Sequence, residues 1–221
     1  MSSGQLSLDL PAQGRGRRED LCISPANAQA IEWIDMWPAW PVSVLVLHGP
    51  RGCGKSHMAG IWREKADAIT LPVDDLSAAM EKAHEAIAAG RRVLLDDADM
   101  VHDQVALFHL INSVKEAVSS LLLTGRTAPA HWPFDLPDLR SRLNAAQIVG
   151  ISEPDDALLK SVLAKLFADR QLRVADNVLD YLALRIDRSF QAANDIVDRL
   201  DQEALNRRRA VTRDLARQVL E

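Results

Sequence analysis

The chain has 221 residues, enough for one large domain or for one domain with a small second one. Its hydrophobic fraction is 48%, and no apolar run approaches the length of a membrane span, which argues against a membrane protein. The formal net charge of −5 argues against a large nucleic-acid surface, so strong direct DNA binding is not expected.

Residues 1–20 are rich in Gly, Ser, Gln and charged residues and are predicted to form a disordered tail without the pattern of an export signal. Ser24 and Pro25 then predict the start of a helix, with proline in its first turn. Pro38 and Pro41 end this helix before the next apolar segment.

The most informative segment is a complete phosphate-binding loop. Residues 42–47 form a short apolar run that is typical of a buried strand, and residues 55–66 favour a helix. Between them, glycines let successive N–H groups point at a phosphate, Lys55 supplies a cation, and the Ser56 hydroxyl can bind Mg²⁺. The helix N-terminus also favours an anion. The segment predicts an ADP or ATP site made by Gly49, Pro50, Arg51, Gly52, Cys53, Gly54, Lys55, Ser56 and the adjacent His57.

The two cysteines indicate a reducing compartment. Cys53 lies inside the phosphate loop, where a disulfide would obstruct the site, and Cys22 is the other cysteine. We therefore expect a cytoplasmic protein.

A second apolar strand, residues 93–95, ends in two carboxylates. P-loop NTPases hold Mg²⁺ with such an acid, so Asp96 is predicted to bind the ion through water, beside Ser56. Asp97 is placed to orient or polarise an attacking water. Residues 121–123 and 147–149 suit further strands.

Strands that alternate with helices predict an α/β fold, with a parallel sheet covered by helices on both faces. From Pro154 onward the apolar residues repeat only at helical spacing. We therefore expect three parts, namely a tail (1–20), an α/β nucleotide-binding domain (21–151) and a small all-helical lid domain (152–221).

This organisation resembles AAA+ ATPases, and shorter segments resemble the bacterial replication initiator DnaA. The similarity covers about residues 20–221, and the segments that carry it are residues 24–27, 54–57, 94–97, 122–126, 138–143 and 186–190. The resemblance implies that Thr124 is a sensor that faces the γ-phosphate and that Arg142 is an arginine finger for a neighbour's nucleotide. It also implies that Arg188 is the second sensor, which lets the lid respond to the nucleotide, and that Arg140 is the weaker candidate for the finger.

The sequence departs from the initiator, because we expect it to end at the lid, without the initiator's DNA-binding domain and without its N-terminal helicase-interaction domain. It carries instead a segment that resembles the hexapeptide by which bacterial proteins dock on the sliding clamp, the β subunit of DNA polymerase III. In an extended peptide, alternate leucines can fill apolar pockets while a glutamine amide makes directional hydrogen bonds. The segment consists of Gln5, Leu6, Ser7, Leu8, Asp9 and Leu10.

Together these features resemble the Hda family, the DnaA-related regulatory inactivators of the initiator. The resemblance implies a nucleotide-bound protein that docks on the clamp and stimulates hydrolysis of DnaA-bound ATP, and so prevents over-initiation. Its own ATPase activity would be weak or absent. The alternatives are a self-contained AAA+ ATPase, such as a helicase loader or remodeller, and a plain interaction module. The residues leave open whether ADP or ATP is the working ligand and whether the chain forms a homodimer.

Overall fold

A five-stranded parallel sheet forms the centre of the first two thirds of the chain. The structure is a computed structural model and describes residue 18, residues 21–207 and residues 209–221. The sheet has the strand order β2-β3-β4-β1-β5, and all its neighbouring pairs are parallel. The strands are β1 (Val44–His48), β2 (Ala68–Thr70), β3 (Arg92–Leu95), β4 (Leu121–Gly125) and β5 (Gln147–Gly150). The central strands read as continuous apolar runs because helices cover both faces of the sheet.

Five helices cover the sheet in two layers, each with its own apolar core. They are α1 (Ala28–Met36), α2 (Lys55–Lys65), α3 (Leu76–Ala88), α4 (Gln104–Glu116) and α5 (Pro137–Asn144). The first two helices form one layer, in which the fully buried Trp62 stacks on Trp40 with ring centroids 5.3 Å apart. The other three helices form the opposite layer.

The last third of the chain is helical and has a separate core. Its helices are α6 (Asp156–Asp169), α7 (Asp176–Ala183), α8 (Phe190–Arg207) and α9 (Arg213–Leu220). They pack around Phe167, which is 1% exposed, together with leucine, valine and alanine side chains of all four helices. We call residues 156–220 the lid.

The sheet topology brings the predicted chemistry to one edge. Leu47 pairs with Thr124, and Leu95 pairs with Leu123, so the ends of β1, β3 and β4 lie side by side. Parallel α/β sheets bind ligands at this carboxyl edge. The phosphate loop and the two carboxylates therefore emerge next to each other.

Two predictions from the sequence, the clamp-like segment and the absence of a membrane span, concern more of the chain than this sheet. The clamp-like segment, Gln5 to Leu10, lies outside the described residues, so its role stays a prediction. In the part of the chain that the structure describes, no helix is long and apolar enough to cross a membrane.

The C-terminus of α4 ends in a conformation that favours glycine but carries a valine. The N–H of Ser119 donates to the Val114 carbonyl (2.9 Å) and that of Val118 to the Lys115 carbonyl (3.1 Å), a Schellman motif. Val118 has φ of +50° and is 89% exposed. We expect Val118→Gly to raise the free energy of unfolding by about 1 kcal/mol, because the left-handed conformation strains a β-branched residue and almost no packing is lost.

Chemical denaturation measures this change, and Val105→Gly is the matched control. Val105 is also an exposed valine of α4, but it lies within the helix. The same substitution there should lower the free energy of unfolding by a few tenths of a kcal/mol. Destabilisation by both substitutions would contradict the strain argument.

Candidate nucleotide site

The phosphate loop joins β1 to α2 and is held by backbone contacts on both sides. The Gly49 N–H donates to the Gly125 carbonyl at the end of β4 (3.2 Å). A Cβ on Gly49 would lie 2.2 Å from the Ile151 carbonyl oxygen, so no side chain fits there. Gly54 has φ of +98° and caps α2, which directs the N–H groups of the first helical turn into the loop.

Lys55 supplies the cation of the loop. It is 7% exposed, and its Nζ donates to the carbonyl oxygens of Gly49 (2.8 Å) and Pro50 (2.9 Å). An ammonium group has three donors, and its remaining contact, to the Cys53 Sγ at 3.9 Å, is weak. The ammonium is thus fixed inside the loop with capacity left for a phosphate oxygen.

Two titratable side chains beside Lys55 stay neutral at pH 7. Burial raises the pKa of the Cys53 thiol above its usual value, against a smaller opposing effect of the Lys55 charge. Burial also lowers the pKa of His48 below its usual value, and the charge of Lys55 lowers it further. Lys55 is therefore the charged member of these three neighbouring side chains.

One hydroxyl group holds both predicted acids. Thr124 is completely buried, and its Oγ1 donates to Asp96 Oδ1 (2.5 Å) while accepting a hydrogen bond from the Asp97 N–H (2.8 Å). Asp97 has φ of +54°, which turns the chain sharply after β3. Thr124 therefore positions the two acids through hydrogen bonds across the strand ends.

A cavity of about 1330 Å³ lies between the phosphate loop and the lid. Its volume exceeds that of typical small-molecule pockets, which measure roughly 300–1,000 Å³. The cavity is lined by the phosphate loop, by lid helices α6 and α8, and by Leu21, Cys22 and Asn27 near the start of the described chain. Six of the predicted nucleotide contacts line it, namely Arg51, Gly52, Gly54, Lys55, Ser56 and His57.

The sequence predicted some of the other residues that line the cavity and missed others. Asp97 was expected at the site and does line the cavity. Arg126 also lines it and could have been found, because it directly follows a predicted strand. Asn27 and Gln191 line it as well, but they belong to no motif that marks a phosphate site.

The lid touches the phosphate loop directly. The Phe190 N–H donates to the Gly52 carbonyl (2.8 Å), and the Phe190 ring would lie 3.0 Å from a Cβ on Gly54. A Cβ on Gly52 would lie 2.6 Å from the Ser189 Cβ. Both glycines are therefore needed for the approach of the lid as well as for the shape of the loop.

Arg188 and Arg142 lie away from this cavity. Arg188 Nη2 forms an ion pair with Asp156 Oδ1 (2.8 Å), its side chain is 56% exposed, and it is absent from the cavity wall within the described ranges. Arg142 is exposed on α5, whose buried Leu139 and Leu143 face the core. Within the described ranges, the structure thus places six loop residues and Asp97 in the cavity wall and leaves Asp96, Thr124 and both arginines outside it.

Comparison with known proteins finds similarity both for the lid and for the fold as a whole. Residues 156–220 match the family described as "Hda, lid domain". Domain III of the replication initiation protein DnaA from Thermotoga maritima superimposes with a TM-score of 0.78 at 17% identity, over 95% of this chain and 97% of that one. The lid thus matches a known family, and the whole chain shares the fold of domain III of DnaA.

Two further similarities extend over most of this chain. AMPPCP-bound DnaA from Aquifex aeolicus has a TM-score of 0.71 at 19% identity, over 88% of this chain and 68% of that one. An uncharacterized protein of Haemophilus influenzae is 26% identical over 184 residues, which are 79% of this chain and 80% of that protein. The predicted parallel sheet with helices on both faces and a C-terminal helical lid is confirmed.

We expect Lys55→Ala to weaken the binding of Mg-ADP and Mg-ATP by at least about 30-fold, because phosphates would lose a buried, fixed cation. Isothermal titration calorimetry measures the affinities. Lys65→Ala is the control, since Lys65 lies at the other end of α2 and donates to the carbonyls of Ile34 and Asp35. Unchanged affinity in Lys55→Ala would exclude this loop as the phosphate site.

Proposed function

We propose that this chain is a nucleotide-bound regulator of DNA replication initiation, which docks on the sliding clamp and stimulates hydrolysis of the ATP bound to DnaA. The observation that carries the proposal is the exposed position of Arg142, outside the wall of the chain's own nucleotide cavity. The Hda-like lid and the DnaA-like fold support it.

The surroundings of Arg142 suit a side chain that acts on another protein. Helix α5 is anchored by Leu139 and Leu143, which leaves Ser141 and Arg142 exposed to solvent. Within the part of the chain that the structure describes, no hydrogen bond or ion pair occupies the Arg142 guanidinium. The side chain is therefore available to a nucleotide on a partner.

The proposed action of Arg142 is electrostatic. As the γ-phosphoryl group leaves, negative charge spreads over its oxygens, and a planar guanidinium can meet two of them at once. Arginine fingers of this kind accelerate hydrolysis by roughly 10³–10⁵. The chain's own nucleotide, ADP or ATP, would hold the lid against the loop and so orient the surface that meets DnaA.

Docking on the clamp would be the task of the segment from Gln5 to Leu10. Residues 11–20 join it to Leu21, which lines the nucleotide cavity. A fully extended chain of that length spans at most about 35 Å. Clamp docking would thus keep the AAA+ part close to DNA and raise its effective concentration near DnaA.

The residues also fit Mg²⁺ bound with the nucleotide. Ser56 lines the cavity at the start of α2, and Thr124 holds Asp96 at the end of β3, on the same edge of the sheet. Ser56 and Asp96 would hold the ion, which when bound neutralises phosphate charge. Asp97, in the cavity wall, would orient a water there.

This constellation favours a second candidate function, a self-contained AAA+ ATPase that loads or remodels other proteins. The hydrogen bonds of Thr124 to both acids are what such an enzyme needs. Multiple-turnover ATP hydrolysis by the chain alone, without DnaA, would favour this alternative. Hydrolysis that requires DnaA and clamp would favour the regulator.

We expect Arg142→Ala to lower the stimulation of DnaA's ATP hydrolysis by at least about tenfold, with Arg142→Lys a poor rescue, because a point charge lacks the planar fork. The measurement is single-turnover hydrolysis of ATP preloaded on DnaA, with clamp loaded on DNA.

Nucleotide affinity and clamp binding should stay unchanged in Arg142→Ala, which shows that the variant is intact. Arg140→Ala, two residues away on the same helix, is the matched comparison and should keep most of the stimulation. Full stimulation by Arg142→Ala would remove Arg142 from this role and direct attention to Arg140 or Arg126.

We expect the double substitution of Gln5 and Leu6 by Ala to abolish clamp binding, since it removes both the amide and one apolar anchor. Surface plasmon resonance with immobilised clamp measures this. Calorimetry should show wild-type nucleotide affinity, because the phosphate loop is unchanged. Clamp binding at wild-type affinity would contradict the assignment of this segment.

A further inference from the structure

The lid presents an uncharged side chain to the phosphate loop. We propose that Gln191, in the first turn of α8, donates a hydrogen bond to the phosphates of the bound nucleotide, and that Arg188 takes no part in this contact. The inference rests on the proposed nucleotide function and adds the residue by which the lid contacts the ligand.

Backbone contacts bring Gln191 close to the loop. The hydrogen bond from the Phe190 N–H to the Gly52 carbonyl (2.8 Å) fixes the start of α8 against the phosphate loop. The Gln191 Cβ lies 3.6 Å from the point that a Cβ on Gly52 would occupy. Gln191 also lines the cavity, together with Gly52, Gly54 and Lys55. Its side chain therefore begins at the loop and borders the space into which the loop's N–H groups point.

The amide of Gln191 is oriented and still has a donor available. Its Nε2 donates to Asp195 Oδ1 (2.7 Å), one turn further along α8. A side-chain amide nitrogen carries two hydrogens, so one can hold Asp195 while the other meets a phosphate oxygen. Asp195 acts here as a positioning residue, because its hydrogen bond restricts the rotation of the amide.

Arg188 is committed elsewhere. Its ion pair with Asp156 links the start of α8 to the first residue of α6, within the lid. To reach a phosphate it would have to leave this pair. The cavity wall in the described ranges includes Gln191 and excludes Arg188.

Gln191 would contact the nucleotide through an uncharged group. A hydrogen bond from an amide to a charged phosphate adds affinity but little long-range attraction, so Gln191 contributes direction rather than charge. The cations of the cavity wall lie in both parts, with Arg51, Lys55 and Arg126 in the α/β part and Lys165 and Arg170 in the lid.

The test is calorimetric titration of the nucleotide-free full chain with Mg-ADP and with Mg-ATP. We expect Gln191→Ala to weaken both affinities about tenfold, the size of one hydrogen bond to a charged group. Arg188→Ala should change them clearly less. Gln202→Ala is the matched control, because Gln202 is an exposed glutamine of the same helix outside the cavity wall.

Two further variants separate a ligand contact from a structural role. Gln191→Glu has the same shape but carries a negative charge, so it should bind nucleotide more weakly than Gln191→Ala does. Gln191→Arg should bind Mg-ATP more tightly than wild type does, with a smaller gain for Mg-ADP, because it adds charge to the lid side. The melting temperature of each variant without nucleotide should stay within the range of the Gln202→Ala control.

The outcomes are distinguishable. A larger loss of affinity in Arg188→Ala than in Gln191→Ala would overturn this inference, as would equal affinities for Gln191→Ala, Gln191→Glu and wild type. If Lys55→Ala also bound nucleotide normally, the proposed nucleotide function itself would fail. If Lys55→Ala lost affinity while Gln191→Ala kept it, only the role of Gln191 would be rejected.

Discussion

The close packing of the phosphate loop is the constraint on which the rest of the structure depends. Three glycines lie where other groups press on the loop: Gly49 against the Ile151 carbonyl, Gly52 against Ser189, and Gly54 against the Phe190 ring. A methyl group at any of these points would displace the sheet edge or the lid. The same residues that let the loop curl around a phosphate therefore also connect the sheet to the lid.

The second connection runs across the ends of the strands. The Thr124 hydroxyl bonds both Asp96 and the backbone of Asp97, and it does so from a completely buried position at the end of β4. Parallel pairing of β4 with β1 places this hydroxyl beside the start of the phosphate loop. Loop and acids thus depend on one strand pairing, so a nucleotide bound at the loop would meet acids already in position.

The sequence predicted what depends on local pattern and failed to predict what depends on tertiary contacts. The strands of the sheet, the loop and the helical lid follow from apolar runs, glycines and helical spacing. The helix expected from Ser24 begins only at Ala28, because Asn27 bonds the Ser24 N–H and the Cys22 carbonyl and holds a turn. The orientation of Arg188 depends on Asp156, which lies far away in the sequence, and no pattern marked Gln191.

The positions of Lys55 and Arg142 suit these two side chains to different tasks. Lys55 is buried in the loop and bound to its carbonyls, so it suits the retention of a ligand by this chain. Arg142 is exposed on α5, on a helix that contributes nothing to the described cavity wall, so it suits an effect on a partner. The start of α8 meets the loop through Ser189, Phe190 and Gln191, none of which is charged. This arrangement favours a protein that keeps its own nucleotide bound and acts on the nucleotide of a partner.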